Sequence, residues 1–109
     1  MDFSNIFGKV KELQESMKAA QARISKLSSE GEAGGGMVRA KVNGDRRVIE
    51  IQVDDALVNN EDKELIQDLS VAAVNNALDK MDALTKEEMK SVTGGLPNIP
   101  GFSFPGFES

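Results

Sequence analysis

The chain has 109 residues and a formal net charge of −5, and it contains neither cysteine nor histidine. These absences exclude disulfides, thiolate metal sites, cysteine nucleophiles and imidazole acid–base chemistry. The length suits one domain, and no apolar run reaches the roughly 18 residues that a membrane span requires. The start, MDFSNIFGKVKELQ, lacks the continuous apolar core of a signal peptide, so we expect a cytoplasmic protein.

The first predicted element is a long helix over residues 3–27. Apolar residues recur there at alternating gaps of three and four, the heptad pattern of a helix that packs along one face. They are Phe3, Ile6, Val10, Leu13, Met17, Ala20, Ile24 and Leu27. We expect Ser28, Ser29 and Gly31 to end this helix.

A glycine-rich segment, GEAGGGMV at residues 31–38, follows the helix. A phosphate-binding loop joins a strand to the N-terminus of a helix, whose amides face the anion. Here the order is helix, glycines, strand, and no Lys-Ser or Lys-Thr pair follows, so a nucleotide site is disfavoured. The sequence favours a mechanical role, in which residues 34–36 let the backbone bend or approach another segment closely.

Residues 37–53 are predicted to form a β-hairpin, because apolar and polar residues alternate on both sides of Asn43-Gly44. This dipeptide is typical of two-residue hairpin turns, and such a turn pairs Val38 with Ile49. A wider loop through Asp45-Arg46 would shift that register. A further strand around residues 32–35 could make the sheet three-stranded.

A second long helix is predicted after Asn59-Asn60, which would cap it. It has Lys90 in its last turn and ends before Gly94-Gly95, after roughly 32 residues. Residues 1–93 then form a single domain of α+β class: a long N-terminal helix, a small antiparallel sheet and a long C-terminal helix. The remaining tail, residues 94–109, is rich in glycine, proline and phenylalanine. It either docks on a groove of this subunit or its partner, or stays mobile.

Both predicted helices are longer than the hairpin between them, whose eight-residue strands span about 27 Å. Their apolar stripes beyond the sheet need cover from each other or from another chain. The edges of so small a sheet also favour pairing with another strand. Burial therefore favours a homodimer, in which sheets join and helices pair, over a monomer.

Several segments carry a family resemblance that extends over nearly the whole chain: GEAGGGMVRAKVNG, then IEIQVDDALV, then VAAVNNAL in the second long helix, then LPNIPGF. In this order they resemble the YbaB/EbfC family of bacterial nucleoid-associated proteins. The resemblance implies a tweezer-like homodimer with a shared antiparallel sheet and projecting helices. It also implies binding to double-stranded DNA in the nucleoid, with altered DNA conformation and an effect on gene expression.

Charge placement supplies the candidate DNA-binding residues. Residues 1–58 hold nine basic and nine acidic residues, whereas residues 59–109 hold four and nine, so a basic surface is confined to the first half. The candidates are the basic residues of the first helix and the hairpin: Lys9, Lys11, Lys18, Arg23, Lys26, Arg39, Lys41, Arg46 and Arg47. The alternative for each is a solvated face with local ion pairs such as Lys11–Glu15.

The expected mode of binding is to the phosphate backbone. No aromatic residue lies among these bases, which disfavours base stacking. Neither helix is part of a helix-turn-helix pattern, which disfavours base-specific contacts in the major groove. We therefore expect binding that tolerates sequence and depends steeply on salt.

Two further classes of function were compared with DNA binding. Pairs of carboxylates, at residues 54–55, 61–64 and 87–88, could act as acid–base pairs or bind hard cations, but charge at helix N-termini and solubility explain them more simply. No nucleophile–base pair occurs, so we expect no enzyme, cofactor, metal or small-molecule substrate. The alternative function is a prefoldin-type interaction or chaperone-like module, which also has a helix–hairpin–helix layout.

Overall fold

The structure is a computed structural model, and it describes residues 3–59 and 62–93. The element order is α1 (Phe3–Ser25), β1 (Ser28–Ala33), β2 (Val38–Asn43), β3 (Val48–Val53), α2 (Asp55–Asn59) and α3 (Lys63–Thr93). The strands form one antiparallel sheet in the order β1-β2-β3. The predicted α+β arrangement of long helix, small sheet and long helix is therefore confirmed, and the tail at residues 94–109 lies outside the described residues.

Strand β1 begins earlier than the sequence predicted. The helix α1 ends at Ser25, and its last turn is closed by the amide of Leu27, which donates to the carbonyl of Ile24 at 2.9 Å. Gly31 was expected to end the helix, and this is wrong, because it lies inside β1 opposite Ala40. A Cβ on Gly31 would lie 2.8 Å from the Cα of Ala77, so glycine there lets β1 approach α3 closely.

The β1–β2 connection uses the three consecutive glycines at residues 34–36. All three have positive φ, from 63° to 91°, a backbone conformation that side chains disfavour. The expected bending role of this segment is thus confirmed, and it forms a turn between two strands.

The β2–β3 connection is wider than a two-residue turn, so the predicted pairing of Val38 with Ile49 is wrong. Val38 pairs with Val53 instead, and a bulge near Val42 leaves Ile49 as an extra residue in β3. The side chain of Asn43 caps the loop by accepting the amides of Asp45 and Arg47 at 3.0 and 3.1 Å. The positive φ of 62° falls on Arg46.

The second half of the domain has two helices where the sequence predicted one. Asp54 caps α2 by accepting the amide of Ala56 at 2.8 Å, and Asp62 caps α3 by accepting the amide of Leu65 at 3.1 Å. The predicted cap at Asn59 is wrong, because that residue lies within α2; Asn60 lies outside the described residues.

The main core lies between α3 and the inner face of the sheet. Its fully buried members are Val38, Ala40, Val42, Leu57, Ala73, Ala77 and Met81. Two polar contacts fix α3 over β1: the hydroxyl of Ser29 donates to the carbonyl of Ala77 at 2.7 Å, and the side-chain amide of Asn76 donates to the carbonyl of Glu32 at 2.9 Å.

A second, smaller core joins the two long helices. Ala20 and Ile24 of α1 are buried against Met89 of α3, with Val92 alongside. The two helices are antiparallel, and Val92 is one residue short of the end of α3, so the first part of α1 extends past that end. We call residues 3–18 the arm. The predicted heptad stripe continues along the arm, but there it is largely exposed.

Candidate nucleic-acid interface

Three of the predicted DNA-binding residues form ion pairs. Arg23 lies 3.2 Å from Glu88 of α3, Arg39 lies 3.7 Å from Glu32 of β1, and Arg46 contacts Asp82 of α3. All three pairs are exposed, so each stabilises the fold by about 1 kcal/mol or less. Their larger effect is on the surface potential, because each arginine has a carboxylate beside it that reduces its attraction for phosphate.

The outer face of the sheet is not the basic patch that the hairpin sequence suggested. Lys41 lies between Glu30 of β1 and Glu50 of β3, and Arg39 lies opposite Glu32. Acidic and basic side chains therefore alternate across the strands. This arrangement favours a well-paired sheet and gives little net attraction for a polyanion.

The hairpin loop holds Arg46 and Arg47 in different surroundings. Arg46 reaches α3 through its contact with Asp82. The amide of Arg47 donates to Asn43, while its side chain makes no ion pair within the described ranges. Of the four hairpin candidates, Arg47 is thus the most available to a ligand.

The helix α1 carries the most available positive charge. It has four basic and two acidic residues, whereas α3 has four basic and six acidic residues. Lys9, Lys11 and Lys18 are exposed, and within the part of the chain that is described none of them has a carboxylate in ion-pair range. The local pair Lys11–Glu15, which would have neutralised one of them, does not form there. Lys26, just after α1, is likewise exposed.

Two of these lysines lie on one side of the helix. Lys11 and Lys18 are seven residues apart, which is about two turns and roughly 10 Å along the axis. They lie away from the stripe that includes Leu13 and Ala20, so a ligand can reach them without displacing the contacts between α1 and α3. The structure therefore brings Lys11 and Lys18 together, while Arg39 and Lys41 belong to a separate surface.

Sequence reasoning missed the acidic partners. Glu88 and Asp82 are separated in sequence from their arginines by 65 and 36 residues, so only the fold brings them together. The position of Glu30 and Glu32 beside the hairpin bases could have been predicted from the sequence. The alternation of small residues at Ser29, Gly31 and Ala33 is a strand pattern, and placing it beside β2 puts both glutamates next to the hairpin bases.

Two of the carboxylate pairs supply helix caps. Asp54 and Asp62 accept backbone amides at the starts of α2 and α3. Among residues 3–59 and 62–93, no three acidic side chains come close enough to hold a metal ion. Within the same residues, no helix is sufficiently long and apolar to cross a membrane.

Comparison with known proteins agrees with the architecture and the sequence pattern. The sequence profile of the YbaB/EbfC DNA-binding family matches residues 1–96. The chain belongs to the YbaB/EbfC DNA-binding family. Its expected resemblance to bacterial nucleoid-associated proteins is thereby confirmed.

Two curated relatives match this chain over almost their whole length, and both are described as nucleoid-associated proteins. A nucleoid-associated protein of Desulfotalea psychrophila is 41% identical over 104 residues, covering 94% of this chain and 98% of that protein. A nucleoid-associated protein of Syntrophobacter fumaroxidans is 44% identical over 102 residues, covering 94% and 92%. The family is named for DNA binding, and neither of these two relatives is named as an enzyme.

The fold is also similar to a solved structure. The crystal structure of an uncharacterized protein from Helicobacter pylori superposes with a TM-score of 0.73 at 26% identity, covering 86% of this chain and 99% of that one. The arrangement of helices and sheet described above is therefore shared by an experimentally determined relative.

Proposed function

We propose that the protein binds double-stranded DNA as a homodimer, mainly through the phosphate backbone, and that it alters the conformation of the DNA in the nucleoid. The observation that carries this proposal is the unpaired positive charge of α1. Lys11 and Lys18 form an exposed pair on one side of the arm, and Lys9 and Lys26 add charge at its flanks. Lysine ammonium groups spaced along a projecting helix suit contacts with successive phosphates.

A homodimer is supported by an uncovered apolar surface on the other side of the domain. Strand β3 lies at the edge of the sheet, and Ile51 is 47% exposed although it shares the inner face with buried Ala40. Asn76 holds one side of α3 over β1, and Leu69 on the same side lies against the β1–β2 turn. Val71 on the opposite side of α3 is 62% exposed. This surface, formed by one side of α3 and the inner face of β3, is what a second copy would cover.

The edge of the sheet supports the same assembly. Val48 and Ile49 of β3 are also about half exposed, and β3 presents its outer backbone groups without a neighbouring strand within the described residues. The opposite edge strand, β1, is shielded by α3 and carries two glutamates. Antiparallel pairing of β3 with the β3 of a second copy would join the sheets about a two-fold axis and place one arm at each end.

The homodimer doubles the basic surface. One α1 offers a few lysines against the overall charge of −5, whereas two arms acting together contact a longer stretch of duplex. Because the contacts are to phosphates, binding should tolerate changes in DNA sequence. A duplex held at two separated points can also be bent or stiffened, which accounts for the proposed change in conformation.

The test is a titration of a random-sequence duplex with the full chain, followed by fluorescence anisotropy at several salt concentrations. Affinity should fall linearly on a log–log plot, with a slope of about −0.9 for each phosphate contacted. Light scattering on the same samples measures the mass of the bound species. Binding that persists unchanged in salt, or stronger binding to an unfolded client protein than to DNA, would instead support the interaction-module alternative.

A further inference from the structure

The apolar stripe of the arm is largely exposed, although Leu13 in its middle is half-buried. Phe3, the first residue of the stripe, is 65% exposed, and Ile6, Val10 and Met17 are also exposed. Phe7, which lies beside the stripe, is 71% exposed. A contiguous apolar strip of this kind marks an interaction surface. An unsupported helical segment of about 15 residues is also only marginally stable in water, so packing along the arm would stabilise its helical conformation.

We propose that residues 94–109 of the same chain lie along the arm and cover this stripe. The end of α3 gives the first argument. Val92 packs against the small core that contains Ala20 and Ile24, and α3 runs antiparallel to α1 and ends at Thr93. The end of α3 therefore lies near Met17, where the exposed stripe begins, and the axis of α3 points along the arm towards Phe3.

The length of the tail gives the second argument. From Met17 to Phe3 the stripe is roughly 21 Å long at 1.5 Å per residue. Sixteen residues follow Thr93, and an extended chain of that length reaches about 50 Å. The tail can therefore cover the whole stripe of its own arm without reversing direction.

The composition of the tail gives the third argument. The chain has five phenylalanines and no tyrosine or tryptophan; two of the five are on the arm and the other three are Phe102, Phe104 and Phe107. All its aromatic side chains thus belong to the arm or to the segment proposed to cover the stripe. Leu96, Ile99 and Phe102 recur every third residue among the chain's three prolines, which is the repeat of a polyproline II helix with one apolar side.

Charge is compatible with this docking. Glu108 is the only ionisable side chain in the tail, so the tail can lie beside the arm without neutralising it. Lys11 and Lys18 lie on a different side of α1 from the stripe and remain accessible. The docked tail would then stabilise the helix that presents these lysines. Its docking does not depend on DNA being bound.

The position of the tail can be measured with spin labels, because the chain has no native cysteine. We would attach a nitroxide to Asn98→Cys or to Ser103→Cys in the full chain and record amide signals by NMR. The antiparallel arrangement predicts that a label at residue 98 broadens signals near Met17 most, and that a label at residue 103 broadens signals nearer Phe3. Signals of β2 should be unaffected.

A mixed sample distinguishes the tail's own arm from that of a second copy. Here ¹⁵N-labelled chains without a spin label are combined with spin-labelled chains that carry no ¹⁵N. Much weaker broadening of the arm than in the uniformly labelled sample supports docking on the tail's own arm. Broadening of equal size in the mixed sample, broadening elsewhere, or none at all would overturn the proposal.

Hydrogen exchange supplies a second measurement. Replacing Phe102, Phe104 and Phe107 together by serine should speed amide exchange in the arm about tenfold, while β2 exchanges as before. The control variant, Asn98→Ser with Ser103→Ala, keeps every apolar side chain and should leave the arm unchanged. Equal exchange of the arm in the phenylalanine variant and the unmodified chain would contradict the docked tail.

Discussion

Gly44 in the hairpin loop packs directly against Ile24 in the last turn of α1. The amide of Gly44 donates to the carbonyl of Leu27 at 3.0 Å, and a side chain at position 44 would overlap the carbonyl oxygen of Ile24. From the sequence, Gly44 was expected to be needed for a tight two-residue turn. Its structural reason is the close approach of the hairpin to the end of α1.

Replacing Gly44 by alanine should therefore destabilise the protein by about 1–3 kcal/mol, because backbone atoms must move to admit the methyl group. Denaturant unfolding followed by circular dichroism measures this change. The matched control is Gly8→Ala in the arm, where the added methyl meets no atom within 4 Å. That substitution should raise helix stability by up to about 1 kcal/mol. Equal midpoints for Gly44→Ala and the unmodified chain would contradict the packing.

Reversing the charge of the paired arm lysines should greatly weaken DNA binding. In the proposed dimer, Lys11→Glu with Lys18→Glu removes up to four phosphate contacts, so the salt slope should become shallower by about 3–4. The control, Lys80→Glu with Lys86→Glu on α3, makes the same change in net charge and should retain most of the slope. If both variants lose affinity equally, net charge rather than the arm governs binding.

The hairpin bases should contribute less than the arm. Changing Arg39, Lys41 and Arg46 together to glutamine should lower DNA affinity only modestly, since two have ion-pair partners and Lys41 lies between two glutamates. Anisotropy titrations at fixed low salt compare this variant with Lys11→Gln/Lys18→Gln. A larger loss of DNA affinity in the hairpin variant would indicate that DNA binds at the hairpin and not along α1.

The β3 surface should control dimerisation. Ile51→Glu introduces a charge on the inner, uncovered face, and the dimer Kd should rise by about a hundredfold or more. Sedimentation equilibrium measures that constant. Gln52→Glu adds the same charge to the neighbouring residue, whose side chain lies on the outer face, and should leave the dimer largely intact. A dimer that tolerates Ile51→Glu would place the interface elsewhere.

The sequence predicted the order of elements well, because that order depends on local periodicity. The three-and-four spacing in α1 and the alternation in β2 and β3 are strong patterns, and their elements are present. Strand β1 was misplaced because SSEGEA has few apolar residues, and its glycine was interpreted as a helix end. Glycine is needed at position 31 because Ala73 and Ala77 of α3 lie against it, and these residues are more than forty positions further along the chain.

The register and the electrostatics of the candidate interface depended on tertiary contacts. The dipeptide Asn43-Gly44 favoured a tight turn, but the fold uses Asn43 as a cap for a wider loop and Gly44 for its contact with α1. The candidate residues were chosen by charge alone, and three of the arginines proved to have distant or cross-strand carboxylate partners. Which candidates lack an ion-pair partner among the described residues, the lysines of α1 and Arg47 among them, became clear only from the fold.

The contact between Gly44 and Ile24 also links the base of the arm to the sheet. The hairpin loop holds α1 at its C-terminal end, while Ala20 and Ile24 hold it against α3. If two sheets join along β3, the distance between the two arms becomes a property of the joined sheet and not of a flexible hinge. The spacing of the two arms would then be fixed. A duplex whose width or curvature does not match that spacing would have to deform in order to be bound.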